Sequence, residues 1–324
     1  MSSEQSPELD PVMKEAIEWV ALLKSGRATV EDAEKLKRWR AIAPAHENAF
    51  ASAVRLWRDF RTVAEREGRP NGETAVVIAP RRRPIARRAF LGGAIAAAAA
   101  AAAVIRPPFD LWPSWSELRA DYRTAKGERR EVTLGRDVSM QLNTETSVAV
   151  RSTDKAPRIE LIAGEAVIST NTPPEQPLVV TAAGGFIEAA QASLNARCID
   201  SVVSVTCLAG TVAVKYQDKS IHLGLNEQIS YSSSGFGPSS VVDPAIATSW
   251  QRGVLVFHDR ALSDVVEEIN RYRTGRIFIA NRALGRRVVN ATFHVDQLDT
   301  FFDQARELFG AKVTRLPGGV AVLG

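Results

Sequence analysis

Residues 89–105 read Ala89-Phe90-Leu91-Gly92-Gly93-Ala94-Ile95, an unbroken run of alanine from Ala96 to Ala103, then Val104-Ile105. The run holds no charge and no strong polar group, and Arg81-Arg82-Arg83 and Arg87-Arg88 lead into it. As a helix rising 1.5 Å per residue it covers about 25 Å, the short edge of what spans a hydrocarbon core. Leu111 and Trp112 follow where an aromatic would meet the far interface. No acid lies between Glu73 and Asp110, which a buried alanine-rich core helix would not require. The expectation is therefore one transmembrane helix at 89–106, with a basic linker at 76–88 and a second linker at 107–120. The arginine excess orients it, with the chain before Ala89 in the cytoplasm and the chain after Ile105 outside.

Arg87-Arg88-Ala89-Phe90-Leu91 also matches a twin-arginine export signature followed by a weakly hydrophobic Gly/Ala core. Any arginine-flanked anchor would show the same residues, and both readings stay open. Within so much alanine no cleavage site stands out, and a domain precedes the run, so an uncleaved anchor is expected.

The chain of 324 residues has room for two or three domains with real cores. Its net charge of +4 owes much to the arginines beside the anchor, which favours anionic lipid headgroups over nucleic acid. Cys198 and Cys207 both fall on the far side, where a disulfide would persist, and whether they pair depends on strand register. The histidines, His46, His222, His258 and His294, are scattered without metal-ligand spacing. No Gly-x-Ser-x-Gly elbow, Walker loop, His-Glu-x-x-His or Cys-x-x-Cys occurs. These absences lead to the expectation of a non-enzymatic protein without cofactor or metal, built to bind other proteins.

Residues 1–75 predict three helices. The first follows Asp10-Pro11, carries Val12, Ala16, Trp19, Val20 and Leu23 on one face, and ends at Gly26. The second starts at Thr29, with Ala33, Leu36 and Trp39 as its stripe. The third opens at Pro44 and places Phe50, Ala53, Val54, Trp57, Phe60 and Ala64 at helical spacing. So short a unit buries only a modest core, and a partner would complete it. Its one tryptophan per helix suits either the core or an interface.

Beyond the anchor, residues 121–243 predict many short strands: alternation is plain in Val138-Ser139-Met140-Gln141-Leu142 and in Val212-Ala213-Val214-Lys215-Tyr216, with turns at Gly127, Gly164 and Gly210. This is an all-β unit, a short solenoid or sandwich-like. The loose repeat of Gly164-Glu165-Ala166-Val167 in Gly210-Thr211-Val212-Ala213-Val214 leans towards stacked coils. Residues 250–324 predict a β-α-β-β-α-β-β order, a small α+β domain with its helices on one sheet face. The fold class is multidomain: a small α-helical N-terminal domain, one transmembrane helix, an all-β domain and a C-terminal α+β domain.

Assembled, this layout resembles the FecR-type transmembrane anti-sigma regulators of iron-siderophore uptake. The landmarks are Ala16-x-x-Trp19, Trp39, Pro44-x-His46-x-x-Ala49-Phe50 and Leu56-Trp57 in the head; Tyr122-x-Thr124-x-x-Gly127-Glu128, Leu142-Asn143, Gly164-Glu165-Ala166 and Pro177-Leu178 in the β unit; and Trp250-x-x-Gly253, Leu255-x-Phe257 and Asn270-Arg271-Tyr272 in the C-terminal unit. The resemblance implies a bacterial inner-membrane protein crossing once, N-terminus cytoplasmic and C-terminus periplasmic. Its head (1–75) would hold an extracytoplasmic-function sigma factor, through some of Trp19, Leu23, Trp39, Phe50 and Trp57. The C-terminal domain, similar to secretin/TonB short N-terminal domains, would receive the periplasmic signalling domain of a TonB-dependent transporter. Members of that family are also cut by intramembrane and periplasmic proteases, and some break themselves at a Gly-Thr step. Here the corresponding step reads Ala192-Ser193, which keeps a hydroxyl but loses the glycine. No direct nucleic-acid contact is implied. The rival reading, a membrane-tethered DNA-binding regulator, would need a recognition helix with clustered basic and amide side chains. A periplasmic hydrolase or sugar-binding module would need a deep pocket with convergent carboxylates.

Overall fold

The computed structural model describes residues 10–24, 30–54, 117, 119–152 and 157–324. The stretch 89–105 lies outside the described residues, as do Arg87, Arg88 and Trp57. Among the described residues no helix is long and apolar enough to cross a membrane.

The head holds helices α1 (Pro11–Lys24), α2 (Val30–Ala41) and α3 (residues 44–54). The Asp10 carboxylate accepts from the Val12 amide at 3.4 Å, and Pro11 fills the first helical position, as the cap predicts. The three stripes meet: Ala16, Ile17, Val20 and Leu23 of α1 pack with Leu36 and Trp39 of α2 and with Ala49, Phe50 and Ala53 of α3. Phe278 and Val320, from the far end of the chain, are buried in the same cluster, with Leu316 against it.

The β unit runs through β1 (Tyr122–Arg123), β2 (Arg130–Leu134), β3 (Val138–Leu142), β4 (Ser147–Val150), β5 (Arg158–Thr170), β6 (Leu178–Ala182), β7 (Gly185–Ala189), β8 (Ala192–Ile199), β9 (Val202–Ala209), β10 (Val212–Tyr216), β11 (Lys219–Leu223), β12 (Glu227–Ser232), β13 (Gly235–Phe236) and β14 (Ser240–Val241). They form one continuous curled sheet. The long strand β5 belongs to both halves. Its first part pairs with β4 and β6, and its second part with β3 and β8. The bend falls at Gly164, whose φ of +94° only glycine adopts freely. A Cβ there would also collide with the Thr146 backbone.

The two halves close on a core that includes Met140, Leu142, Ile159, Leu161, Ile168, Leu194 and Tyr231. Tyr231 of β12 spans it, donating to the Ala182 carbonyl at 2.8 Å and stacking on Tyr216 with centroids 4.7 Å apart. This is the sandwich-like alternative, and the stacked-coil reading fails. Its ladders are antiparallel except β5 with β6, and the two loosely repeated segments, in β5 and β10, are not neighbours.

The C-terminal unit follows the predicted order: β15 (Val254–Ala261), α4 (Leu262–Tyr272), β16 (Ile277–Ile279), β17 (Val288–His294), α5 (Thr300–Phe309), β18 (Val313–Arg315) and β19 (Ala321–Leu323). It differs from expectation in having two sheets, β15-β17 and β16-β19-β18. Val265, Val266 and Ile269 of α4 and Phe301, Phe302 and Ala305 of α5 share one core with Leu255, Phe293, Ile277 and Leu323 from both sheets. Asn270 fastens α4 to β16 by donating to the Ile277 carbonyl at 2.9 Å and accepting from its amide at 2.7 Å.

Candidate protein interface

Of the head residues singled out from the sequence, Leu23, Trp39 and Phe50 are buried and Trp19 is half-buried. The side chains of Leu23, Trp39 and Phe50 pack in the head's own core. Trp39 lies at the centre, its indole N–H donating to Glu15 at 2.5 Å and its ring 6.5 Å from Trp19 and 4.9 Å from His46. Arg40 lies over Phe50 at 4.9 Å while its guanidinium holds Glu47 at 2.7 Å. The exchange matters for charge: Glu47 holds the Arg40 guanidinium above its usual range, and Glu47 itself falls below the ordinary carboxylate range. Lys35 is likewise tied to Glu31 at 2.9 Å. Lys35 and Arg40, two of the four basic side chains of α2, are thus paired with acids of the head, which counts against a recognition helix for DNA.

The face of α1 bearing Ile17 and Val20 rests on Phe278, Leu316 and Val320. Gly318 permits the approach: a Cβ there would lie 3.2 Å from that of Ala21, and its φ of +69° is left-handed. In the structure the C-terminal unit covers this face of the head.

Ala192 and Ser193 open β8. Gln191 before them has a φ of +47°, Ala192 is buried, and the Ser193 hydroxyl bonds that of Ser169 at 2.9 Å. The step is thus a paired residue in a central strand, held by β5 and β9. Cys198 and Cys207 are free, buried thiols. Cys198 faces Val203 across β8-β9 and Cys207 faces Leu194, four positions further along. At about 3.3 Å per residue that offset is roughly 13 Å, beyond the reach of a disulfide. The pairing left open by the sequence is settled against, and burial lifts the Cys198 thiol to about 11, far from the reactive thiolate range.

Sequence reasoning missed the densest polar cluster, at the joint between the β unit and the C-terminal unit. Alternation along β5 sends Ala166 and Ile168 into the β core and turns Glu165 and Val167 to the opposite face. There Val167, with Leu208 beside it, packs against the core that holds Trp250. Glu165, 4% exposed, accepts from Asn143 at 2.9 Å, Asn195 at 3.0 Å and Arg271 at 3.3 Å, with Arg197 at 3.7 Å. Arg197 of β8 and Arg271 of α4 both hold Glu268, at 2.6 Å and 2.7 Å. Asn143 bonds the Tyr272 hydroxyl at 2.7 Å, and Thr144 donates to the Arg271 carbonyl at 2.8 Å. Arg129 donates to the carbonyls of Trp250 and Gln251 at 2.9 Å and 3.0 Å. Burial opposes the charge on Glu268, but Arg271 and Arg197 outweigh it and hold the carboxyl below its usual range. Burial likewise works against the Arg271 charge, and Glu268 and Glu165 reverse it, raising Arg271 above the ordinary guanidinium range. One signal could have found this site: Glu165 is a lone charge inside the apolar run Leu161–Ile168.

Residues 120–213 match the family model described as FecR protein, and residues 14–56 match one described as a domain of unknown function, DUF4880. Two crystal structures of a "putative anti-sigma factor" from Parabacteroides distasonis ATCC 8503, at 1.65 Å and 2.50 Å, share the fold at 20% identity. The first has a TM-score of 0.56 and covers 63% of this chain and 97% of its own; the second has 0.55, with 62% and 96%. No curated protein matches the chain. The FecR match falls on the curled β unit and its buried Glu165, so that unit is similar to a FecR domain.

Proposed function

We propose that this protein is a sigma regulator that crosses the bacterial inner membrane once. Its head binds an extracytoplasmic-function sigma factor, and its β and C-terminal units receive a periplasmic signal from a TonB-dependent transporter. Genes for iron-siderophore uptake are the output. The observation that carries the reading is the order of parts: a DUF4880 head, the arginine-flanked apolar run Ala89–Ile105, then a FecR unit. The fold shared with the "putative anti-sigma factor" supports it.

The physical logic is an apolar face left for a partner to cover. The α1 face that rests on Phe278, Leu316 and Val320 would be parted from them by a bilayer, because the two lie on either side of Ala89–Ile105. Freed, that face is the surface a sigma factor would cover, with Trp19 at its half-buried margin. Contact and membrane crossing exclude one another within a single chain, so one experiment separates them. Reporter fusions at residues 30 and 280 should report opposite compartments, and the full-length protein should co-purify with a sigma factor. Fusions reporting the same compartment would overturn the topology; absence of any sigma factor would overturn the partner.

A further inference from the structure

We infer that the β unit and the C-terminal unit work as one mechanical body, coupled through the buried carboxylate of Glu165, so that a load on α4 is delivered directly to strand β8. The inference concerns the joint alone and stands whether or not the head binds a sigma factor.

The charges in the joint balance, with Glu165 and Glu268 against Arg197 and Arg271, and each unit supplies members of both signs. Glu165 and Arg197 are direct partners across β5-β8, while Glu268 and Arg271 lie one turn apart on α4. Two of the ion pairs cross the joint, Arg197 to Glu268 at 2.6 Å and Arg271 to Glu165 at 3.3 Å, and parting the units would take one counter-charge from each carboxylate. The network is also incompletely satisfied: among the described residues Arg271 Nη2 and Asn195 Oδ1 are buried without a hydrogen-bond partner. Such a joint holds its register closely and gives way as a unit once one member is lost. Strand β8 carries Arg197 and Asn195 in the joint and Ser193 near its start. Movement of α4 therefore acts on the strand that contains the Ala192-Ser193 step.

Amide hydrogen exchange on the full-length chain in detergent micelles tests this. Glu165→Gln keeps the shape and leaves the two arginines sharing one carboxylate. It should raise exchange of α4 amides about 100-fold, and leave β6, β7 and β10, on the far half of the β unit, unchanged. Tyr272→Phe, which removes only the hydroxyl bonded to Asn143, should raise it about five-fold over the same residues, and it decides the matter if Glu165→Gln does not fold. Unchanged exchange in α4 would overturn the inference. So would an equal rise across both units, because Glu165 would then serve the β core rather than the coupling.

Discussion

The head and the β unit solve the burial problem differently. In the β unit the sheet curls until its two halves face each other, and Leu142, Leu178, Val180, Ile187 and Leu194 reach complete burial within it. In the head, three short helices present one stripe each, and the cluster they make is finished by Phe278 and Val320 from more than two hundred residues away. A sheet that closes on itself needs no neighbour for its inner face. A small helical unit has too much surface for its volume and leaves an apolar face for something else to cover. The region that must be covered is the one suited to exchange partners.

The sharpest break in that contrast comes from Gly164. Replacing it with valine forces a side chain into left-handed backbone against Thr146, and should cost more than about 3 kcal/mol. Circular dichroism should then show lost strand signal while the helical signal of the head persists. Phe302→Ala, in a side chain with no exposure, should cost the C-terminal unit about 3–5 kcal/mol, read from its chemical denaturation midpoint.

Val20→Ala removes two fully buried methyls from α1 and should destabilise the head by about 2 kcal/mol. Its companion, Phe278→Ala, tests the cover itself. On the proposed topology the full-length protein in a bilayer should show no change in exchange of α1 amides; a change would mean that the C-terminal unit covers the head. Acid should loosen the joint. Because the Glu268 carboxyl titrates below its ordinary 4.5 when folded, its contribution is complete above that value and is lost as pH falls through the depressed one. Exchange in α4 should therefore accelerate at low pH before that of β6 and β7. The smallest effect is expected of Lys215→Ala: its partner Glu188 is 2.7 Å away on the surface, and stability should move by less than about 0.5 kcal/mol.

Much of the fold was legible because its signals are local. The Asp10-Pro11 start, the helical stripe around Trp39, the alternation in Val138–Leu142 and the order of elements after Trp250 all follow from spacings of two to four residues. The second half of β5 was harder, because both of its faces are buried, one in the β core and one against the C-terminal unit, and alternation then disappears into a continuous apolar run. The head residues were found, but whether each faces inward or outward was not, since an amphipathic stripe looks the same against its own core and against a partner.

By itself the sequence determined the segments, their types and their order, together with an uncharged run long enough to divide the chain, because periodicity and composition are properties of neighbours along a strand or helix. Tertiary structure decided which of those neighbours meet. It set Cys198 and Cys207 four pairs apart, bent β5 at Gly164, and gathered Asn143, Glu165, Arg197, Glu268 and Arg271 into one joint. Register and closure are fixed by which burial satisfies every charge at once, and that condition is not written in any single stretch of the chain.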